Sequence, residues 1–505
     1  MENKPILTSS VSGSIASSSN LGIICSWINA IKKRHILTIY SFFGFFFAYI
    51  FRANLSVAIL EMSKQNKPVA NLTQQENNTL DLPQSEWSPL LQGYILSSFF
   101  YGYILTQIPA AYLTSRYGGR NLFGAGVGLS ALLCLAMPLA AYIGPSYLMA
   151  IRILQGLCQG FIYPAMHCLW SKWCPPNERS RLATFALSGS YIGSVTALSS
   201  GGLITIYLNW QSIFYIFGVL GLIWSVFWFL NVYESPSEHQ HISCEEKNRI
   251  ESTLNFTDYS CIPWSKILRS APVWAIVIAH FAENWGFYTM LTEMPTFLSD
   301  VLNFQIDEAG VLSALPYLIM AKVLYFSGCV SDKLVDQKLD YTQVRKIFCC
   351  AGFVLQALFM FAMTLTINRT LLIIFLTLSI GFGGMPWSAF GVNHLDIGAG
   401  YANVLMSITN TFATLAGIIS PTLTGHLIED KTKAEWNDVF NISAMIFLIG
   451  AIFYYFLGTG EVQHWAIGTK EFENPTSSNY NDFSRNSTFS VSEVNNDQEN
   501  SKVNK

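Results

Sequence analysis

Long apolar runs separated by polar segments are the dominant pattern along this chain. Twelve runs approach or exceed the ~18 residues of a membrane-spanning helix, and hydrocarbon offers no partners for bare backbone groups, so we expect every run to be helical. The runs are 36–60, 90–113, 121–142, 146–170, 182–206, 211–233, 273–298, 309–330, 346–367, 371–395, 401–427 and 438–458. The pattern predicts an all-α membrane protein with twelve transmembrane helices in two six-helix bundles.

A polar stretch at 234–269 divides the runs six and six, and it is too long and charged to be a tight turn. From Glu461 onward the chain turns rich in Ser, Asn, Asp and Glu, which predicts disorder. The expected segments are an N-terminal tail (1–35), a first bundle (36–233), a central loop (234–272), a second bundle (273–458) and a disordered C-terminal tail (459–505).

Positive charge concentrates in alternate loops, which therefore share one side of the membrane, the cytosol. The central loop and both tails are then cytosolic, and the first outer loop carries two glycosylation sequons, at Asn71 and Asn77. We therefore expect a glycoprotein. The basic residues that set this orientation are Lys32, Lys33, Arg34, Arg116, Arg120, Lys172, Arg179, Arg181, Lys333, Lys338, Arg345 and Lys346.

Two arginines lie inside apolar runs: Arg52 in the first and Arg152 in the fourth. A charge near the middle of a membrane helix costs at least about 2.5–3.5 kcal/mol, so it usually faces a protein interior or an aqueous pathway. By helical rise, Arg52 lies roughly 12 Å and Arg152 about 9 Å from the same outer face. Neither run contains a carboxylate. We therefore expect an anion site, and we place a snorkelling or ion-paired structural role second.

The fourth span carries a polar stripe in which Arg152, Gln155, Gln159, Tyr163 and His167 are spaced by three or four residues. They share one helix face, which should point into a pore or the bundle interior. We expect Arg52, Arg152, Gln159 and Tyr163 to bind substrate. Burial of Gln155 against another helix is an open alternative.

Further titratable groups are candidates for coupling or gating. Glu283 in span seven and Lys322 in span eight lie at similar depths, which predicts an intramembrane ion pair; proton carriage by Glu283 is the alternative. His167 and His394 occupy similar places near the cytosolic ends of spans four and ten, and histidine titrates near neutral pH. For His394 we favour a structural role beside Asp396.

Other chemistry has little support in the sequence. No Cys/His cluster has metal spacing, no glycine-rich phosphate loop occurs, and no Ser, His and Asp arrangement implies hydrolysis. We expect no enzymatic activity, no metal and no cofactor other than a coupling ion. The expected partners are a small anion and the lipid bilayer; nucleic acid is not expected and no obligate protein partner is implied.

Several sequence blocks resemble a known family. The turn after span two, AYLTSRYGGR at 111–120, looks like the major facilitator signature. The chain further resembles the organic-anion and phosphate transporters that include sialin, the vesicular glutamate transporters and the type I sodium–phosphate cotransporters. The matching strings are FFGFF (42–46), RANLSVA (52–58), SFFYGY (98–103), TQIP (106–109), YPAMH (163–167), PPNERSR (175–181), NHLDI (393–397), NTFAT (410–414) and GEVQ (460–463).

The resemblance implies a twelve-helix carrier that moves small organic anions by alternating access, with the arginines matching Arg52 and Arg152 binding or orienting the anion. Gln159 departs from the sialin-like pattern, in which a glutamate implicated in proton coupling stands at this position. The phosphate-transporter branch has glutamine there. The coupling ion is therefore H⁺ or Na⁺.

The sequence thus favours an ion-driven symporter of acidic sugars or acidic amino acids. A sodium-coupled phosphate or organic-anion cotransporter is the first alternative, and a non-transporting anion sensor on a transporter scaffold is the second. The resemblance favours a lysosomal or vesicular membrane, with the plasma membrane as an alternative.

Overall fold

The computed structural model describes residues 32–65, 87, 89–253, 262–302, 304, 306–428 and 432–466, and within these ranges it is helical with no β-strand. The first half contains α1 (Lys33–Gln65), α2 (Pro89–Tyr117), α3 (Gly119–Ile143), α4 (Pro145–Gln159), α5 (Ile162–Trp173), α6 (Arg179–Tyr207) and α7 (Trp210–Asn231). Two short helices follow, α8 (Cys244–Thr253) and α9 (Trp264–Leu268). The second half contains α10 (Ala271–Asp300), α11 (Ile306–Asp336), α12 (Tyr341–Thr364), α13 (Arg369–Phe382), α14 (Gly384–Gly398), α15 (Ala402–Leu427) and α16 (Lys433–Leu457).

All twelve predicted spans are helical, and two of them are broken. The fourth span is divided into α4 and α5 at Gly160, and the tenth into α13 and α14 at Gly383. By length and composition, eight helical segments of the described residues could cross a membrane, one of them the long stretch Arg369–Leu427. The halves of span four fall outside this group because they have only 15 and 12 residues. Helices α2 and α10 are long enough to cross a membrane but are not among these eight segments.

The two halves repeat one packing scheme. In the first half α1 packs along α6, α2 along α4 and α3 along α7; in the second half the matching pairs are α10 with α15, α11 with α13 and α14, and α12 with α16. Between the halves, α6 packs against α11 and α2 against α15, which are again equivalent pairs. The breaks in spans four and ten also occupy equivalent places. The backbones of the two halves are therefore related as an internal repeat.

The loops predicted to be cytosolic meet at one end of the molecule. Arg34, at the start of α1, pairs with Glu178 after span four at 2.7 Å. Glu234, after span six, pairs with Lys172 at 2.7 Å and accepts a hydrogen bond from the backbone N–H of Gly119 at 3.0 Å. We call this end the basic end.

Buried polar contacts join the two halves at the basic end. Asp332 on α11 accepts hydrogen bonds from the backbone N–H groups of Ser180 and Arg181, at 3.1 and 2.7 Å, where α6 begins. Arg345 donates to Asp396 at 2.7 Å and to the Ser180 hydroxyl at 2.8 Å. A carboxylate at a helix N-terminus satisfies free N–H groups and the helix dipole. The protein is therefore closed at its basic end in this conformation.

Candidate anion-binding site

Arg52 lies midway along α1 inside a cage of aromatic rings. Its guanidinium carbon is 4.7 Å from the ring centroid of Tyr49, 4.6 Å from that of Phe99 and 4.9 Å from that of Tyr103. Each distance is within the ~6 Å range of cation–π attraction, which is worth up to about 2 kcal/mol when desolvated. The rings hold the charge in place without neutralising it.

The polar contacts of Arg52 are few and long. Its guanidinium donates to the Tyr288 hydroxyl at 3.5 Å and to the Gln159 amide oxygen at 3.4 Å, while Nε is buried without a partner. Among the residues that the structure describes, no carboxylate lies within 4.0 Å of it. Tyr288 belongs to α10, so both halves contact this side chain. Arg52 therefore retains hydrogen-bonding capacity and positive charge for an anion.

Arg152 is placed differently, although it lies at the same level. It donates to the backbone carbonyls of Phe51 and Arg52 at 3.2 and 3.3 Å, and to the Gln155 amide oxygen at 2.9 Å. Only 2% of its surface is exposed. Its guanidinium also lies 5.2 Å from the centroid of Phe99, the ring that Arg52 contacts. Arg152 thus anchors the backbone that carries Arg52 and adds a second positive charge behind it.

Two glycines bring α2 and α4 close enough for Phe99 to reach both arginines. A Cβ at Gly156 would collide with the carbonyl oxygen of Phe99, and a Cβ at Gly102 would collide with that of Ile153. Small residues permit such close approach of membrane helices. Larger residues at these positions would push α2, and with it Phe99 and Tyr103 of the aromatic cage, away from α4.

The two glutamines of the polar stripe differ in role. Gln155 donates to the backbone carbonyl of Ser130 at 3.3 Å and accepts from Arg152, so it is packed against α3, as the alternative considered above proposed. Gln159 donates to the carbonyl of Ala48 at 3.2 Å and turns its oxygen toward Arg52. An amide is neutral, so Gln159 positions Arg52 without cancelling its charge.

Tyr163 forms the boundary between the cage and the second half. Its hydroxyl shares a hydrogen bond of 2.9 Å with the hydroxyl of Tyr49. Its ring is stacked on Trp387 of α14, with centroids 6.3 Å apart. A shift of α14 would therefore disturb Tyr163, whose hydroxyl contacts Tyr49 of the cage.

The break in span four has a polar partner that reaches across the interface. Gln107 on α2 donates to the free carbonyl of Gly160 at 2.9 Å. Asn410 on α15 donates to the oxygen of Gln107 at 3.0 Å and to the Tyr103 hydroxyl at 2.8 Å. Broken membrane helices are tolerated where such partners satisfy the backbone. One chain of hydrogen bonds thus connects the break, the cage and the second half.

The two histidines proposed for gating are neighbours at the interface. His167 Nε2 lies 3.0 Å from the carbonyl oxygen of Gly391 on α14, and its Nδ1 lies 3.0 Å from that of Tyr163. His394 Nε2 lies 2.9 Å from the Thr409 hydroxyl, and the two imidazole rings are 5.2 Å apart. Both rings are buried and have polar partners.

Asp396, the neighbour considered for His394, has other partners. His394 does not use Asp396, whose carboxylate is held by Arg345 and Arg179 at 2.7 and 3.2 Å. Positions two apart on a helix do not face each other.

Glu283 and Lys322 do not form an ion pair either. Glu283 is buried and accepts a hydrogen bond from the Gln356 amide at 2.9 Å, whereas the Lys322 side chain is exposed. Lys322 shares its helix face with Phe326 and Val330, which are 63% and 47% exposed. Equal depth does not imply a shared face.

Several site residues were missed by sequence reasoning. Phe99, Tyr103 and Gln107 are spaced by four along α2, and Tyr49 lies three residues before Arg52, so helical spacing was an available signal. Tyr288 and Asn410 carried no such signal because they reach the site from the other half. The missed residues are Tyr49, Phe99, Tyr103, Gln107, Tyr288 and Asn410.

Some expectations lie outside the described residues. These are the glycosylation sequons at Asn71 and Asn77 and most of both terminal tails. In the part of the chain that is described, no group of three His, Cys, Asp or Glu side chains is placed to hold a metal ion.

Comparisons with known proteins agree with this architecture. The family model of the Major Facilitator Superfamily matches residues 41–421. Sialin from Ovis aries is 42% identical over 451 residues, which cover 86% of this chain and 91% of that protein. Vesicular glutamate transporter 3 from Danio rerio is 40% identical over 444 residues, which cover 86% of this chain and 75% of that protein.

Two solved structures share the fold at low sequence identity. The E. coli fucose:proton symporter has a TM-score of 0.60 at 14% identity, covering 85% of this chain and 100% of that one. The proton:xylose symporter has a TM-score of 0.65 at 14% identity, covering 85% and 97%.

Proposed function

Because this chain belongs to the Major Facilitator Superfamily, and within it to the group of sialin and the vesicular glutamate transporters, we propose that it is an ion-driven symporter of small organic anions. The proposed substrates are acidic sugars or acidic amino acids. Transport proceeds by alternating access between the two halves. The proposed location is a lysosomal or vesicular membrane, with the plasma membrane as the alternative.

The observation that carries this proposal is Arg52, a buried cation with no carboxylate partner among the described residues. Such a charge is costly in a membrane protein unless something compensates it. A substrate carboxylate would supply the missing charge and would accept hydrogen bonds from the guanidinium. Aromatic rings around the cation suit a ligand with an apolar or sugar-ring body.

The contacts between the halves support alternating access. Arg52 meets Tyr288, Tyr163 meets Trp387, and Asn410 meets Tyr103. Each pair joins one half to the other near the cage. A rocking movement of the halves must therefore rearrange the groups around an anion bound at Arg52, as a carrier requires.

Uptake by the purified protein in liposomes tests the proposal. Labelled sialic acid, glutamate, aspartate and phosphate are presented separately, with a proton gradient, a sodium gradient or neither. We expect uptake of an organic anion, raised by one of the gradients and abolished in Arg52→Gln. Asn231→Ala is a matched control because Asn231 is exposed at the end of α7. Saturable binding without flux for every probe would contradict transport and support the anion-sensor alternative.

The second candidate is sodium-coupled transport of phosphate or organic anions. It is favoured by Gln159, an amide that cannot titrate, in direct contact with Arg52. Sodium-driven uptake of phosphate would select this function over the first.

A further inference from the structure

Glu283 is a buried acid that the anion site does not use. It lies on α10 with 2% of its surface exposed, and its Oε2 atom accepts a hydrogen bond from the Gln356 amide at 2.9 Å. No Lys, Arg or His of the described residues lies within 4.0 Å of the carboxylate. An unpaired buried carboxylate costs several kcal/mol when ionised, whereas the protonated acid is neutral.

The acid borders a small cavity of about 10 Å³. This volume is close to the ~10–15 Å³ that one water molecule needs, and Glu283, Gln356 and Ser379 supply polar groups at its wall. The rest of the lining is mainly Met and Phe side chains, at Phe287, Met290, Met320, Met360 and Phe447. Hard cations are held by about six oxygen ligands, which this lining does not offer. The cavity therefore suits a proton carried by water better than a metal cation.

Among the side chains that the structure describes, the neighbouring helices bring no fixed positive charge to the acid. Tyr191 on α6 and Cys349 on α12 are titratable groups that interact electrostatically with the Glu283 carboxylate. From α11 and α16 the lining groups are Met320 and Phe447, and Lys322 is exposed on another face of α11. Addition or loss of a proton at Glu283 thus changes the net charge of this pocket.

The pocket also adjoins the moving parts of a carrier. A Cβ built on Gly383, at the break in span ten, would lie 2.5 Å from the Oε1 atom of Glu283. Tyr191 comes from the first half, so the acid is close to the interface. A charge change here acts on the broken helix and on the contact between the halves.

We propose that Glu283 is the proton-binding group of this carrier. Hydronium in the cavity gives its proton to Oε1, leaving water and a neutral carboxylic acid; no other bond changes. Release to the opposite side regenerates the carboxylate. This inference rests on the proposed symport of organic anions, and it specifies the proton as the driving ion.

The test compares Glu283→Gln with Glu283→Asp in liposomes, using labelled sialic acid, glutamate and aspartate as probes. Glu293→Gln is the matched control because Glu293 lies on the same helix outside the pocket lining. For Glu283→Gln we expect anion exchange at equal pH to persist, while accumulation driven by a pH gradient falls to the level without a gradient. Glu283→Asp and the control should keep gradient-driven accumulation. Full pH-driven accumulation by Glu283→Gln would overturn the inference.

A measurement independent of transport distinguishes failure of the proposed transport function from failure of the proton-binding role of Glu283. Infrared difference spectra of the purified protein between acid and alkaline pH should contain a protonated-carboxyl band that is absent from Glu283→Gln, shifted in Glu283→Asp and unchanged in Glu293→Gln. If this band is present and no probe is transported, the proposed function fails while proton binding stands. If anions are transported and the band is identical in all variants, the proton-binding role of Glu283 is wrong.

Discussion

The two halves of this protein share one helical scaffold and carry different ionisable groups at their centres, arginines in the first half and an acid in the second. In the first half Arg52 and Arg152 surround Phe99 with no carboxylate near either among the described residues. In the second half Glu283 lies beside the tenth-span break with an amide as its polar partner. Repetition of the backbone therefore does not repeat the chemistry. In our two proposals, anion binding belongs to the first half and ion coupling to the second.

The helix breaks in the two halves also differ in the polar groups beside them. At Gly160 the free carbonyl is satisfied by Gln107, which is itself held by Asn410. At Gly383 the neighbouring polar group is Glu283, which can change its charge. The break at Gly160 is therefore held by neutral amide side chains, whereas the break at Gly383 lies beside a titratable carboxyl group.

The largest effect should come from Arg52. Arg52→Gln removes the unpaired cation, and hydrogen bonds to charged groups are worth about 1.5–3 kcal/mol, so we expect anion affinity to fall roughly 10- to 100-fold or more. Arg52→Lys keeps the charge but loses the planar guanidinium, and we expect partial recovery. Competition binding with the labelled anion measures both. Unchanged affinity in Arg52→Gln would remove the anion site from the first half.

Arg152 should affect stability as well as binding. Arg152→Gln removes two hydrogen bonds that a charged guanidinium donates to the backbone carbonyls of Phe51 and Arg52 in a buried site, and hydrogen bonds to charged groups are worth about 1.5–3 kcal/mol each. We expect a lower melting temperature than that of Arg52→Gln, together with weaker anion binding. Thermal unfolding in detergent by intrinsic fluorescence gives the comparison. Equal melting temperatures for Arg152→Gln and Arg52→Gln would contradict the additional stabilising role of Arg152.

The contact between the halves at the basic end should respond to Asp332. Asp332→Asn weakens a cap on α6, and caps are worth about 1 kcal/mol, so the ratio of closed to open protein should fall roughly fivefold. Maleimide labelling of Cys174, which is buried near this end, should become faster in a variant without other cysteines. Asp340→Asn is the control because Asp340 caps α12 within the second half. Equal labelling of both variants would contradict a role for Asp332 in closure.

A pH-dependent effect should appear at Glu178, because its ion pair with Arg34 contrasts with the unpaired charge of Arg52. Burial raises the pKa of this carboxyl, but the hydrogen bond and charge of Arg34 outweigh it, and the pKa falls below its ordinary value of 4.5. The stabilisation is therefore present above pH 4.5 and is lost as the pH falls through the lower, folded-state pKa. Thermal unfolding should separate Glu178→Gln from the unmodified protein at pH 7 and bring the two together under acid conditions.

A surface pair provides the control for Glu178. Glu251 interacts with Lys247 at 3.9 Å on the partly exposed α8, and such pairs contribute little. Glu251→Gln should leave the melting temperature almost unchanged at either pH. A pH-independent difference for Glu178→Gln would contradict the ion-pair explanation.

The sequence was sufficient to predict the membrane-spanning helices, but not which face of each helix points into the protein. Apolar length predicted all twelve helices, and depth brought Arg52 and Arg152 to one level. Depth failed for Glu283 and Lys322 because it does not specify which side of a helix faces inward. The cage around Arg52 was not predicted because 36 Phe and 23 Tyr are spread over the chain and most of them serve packing. Side chains from the other half, such as Tyr288, become neighbours only through the fold.

The most direct test of this division of labour is equilibrium binding of a transported, labelled anion to purified protein at constant pH, with no membrane gradient. Our account predicts saturable binding to the unmodified protein and to Glu283→Gln with similar affinity, and strongly weakened binding to Arg52→Gln. Equal loss of binding in Glu283→Gln and Arg52→Gln would contradict it, because anion binding and ion coupling would then share a single site.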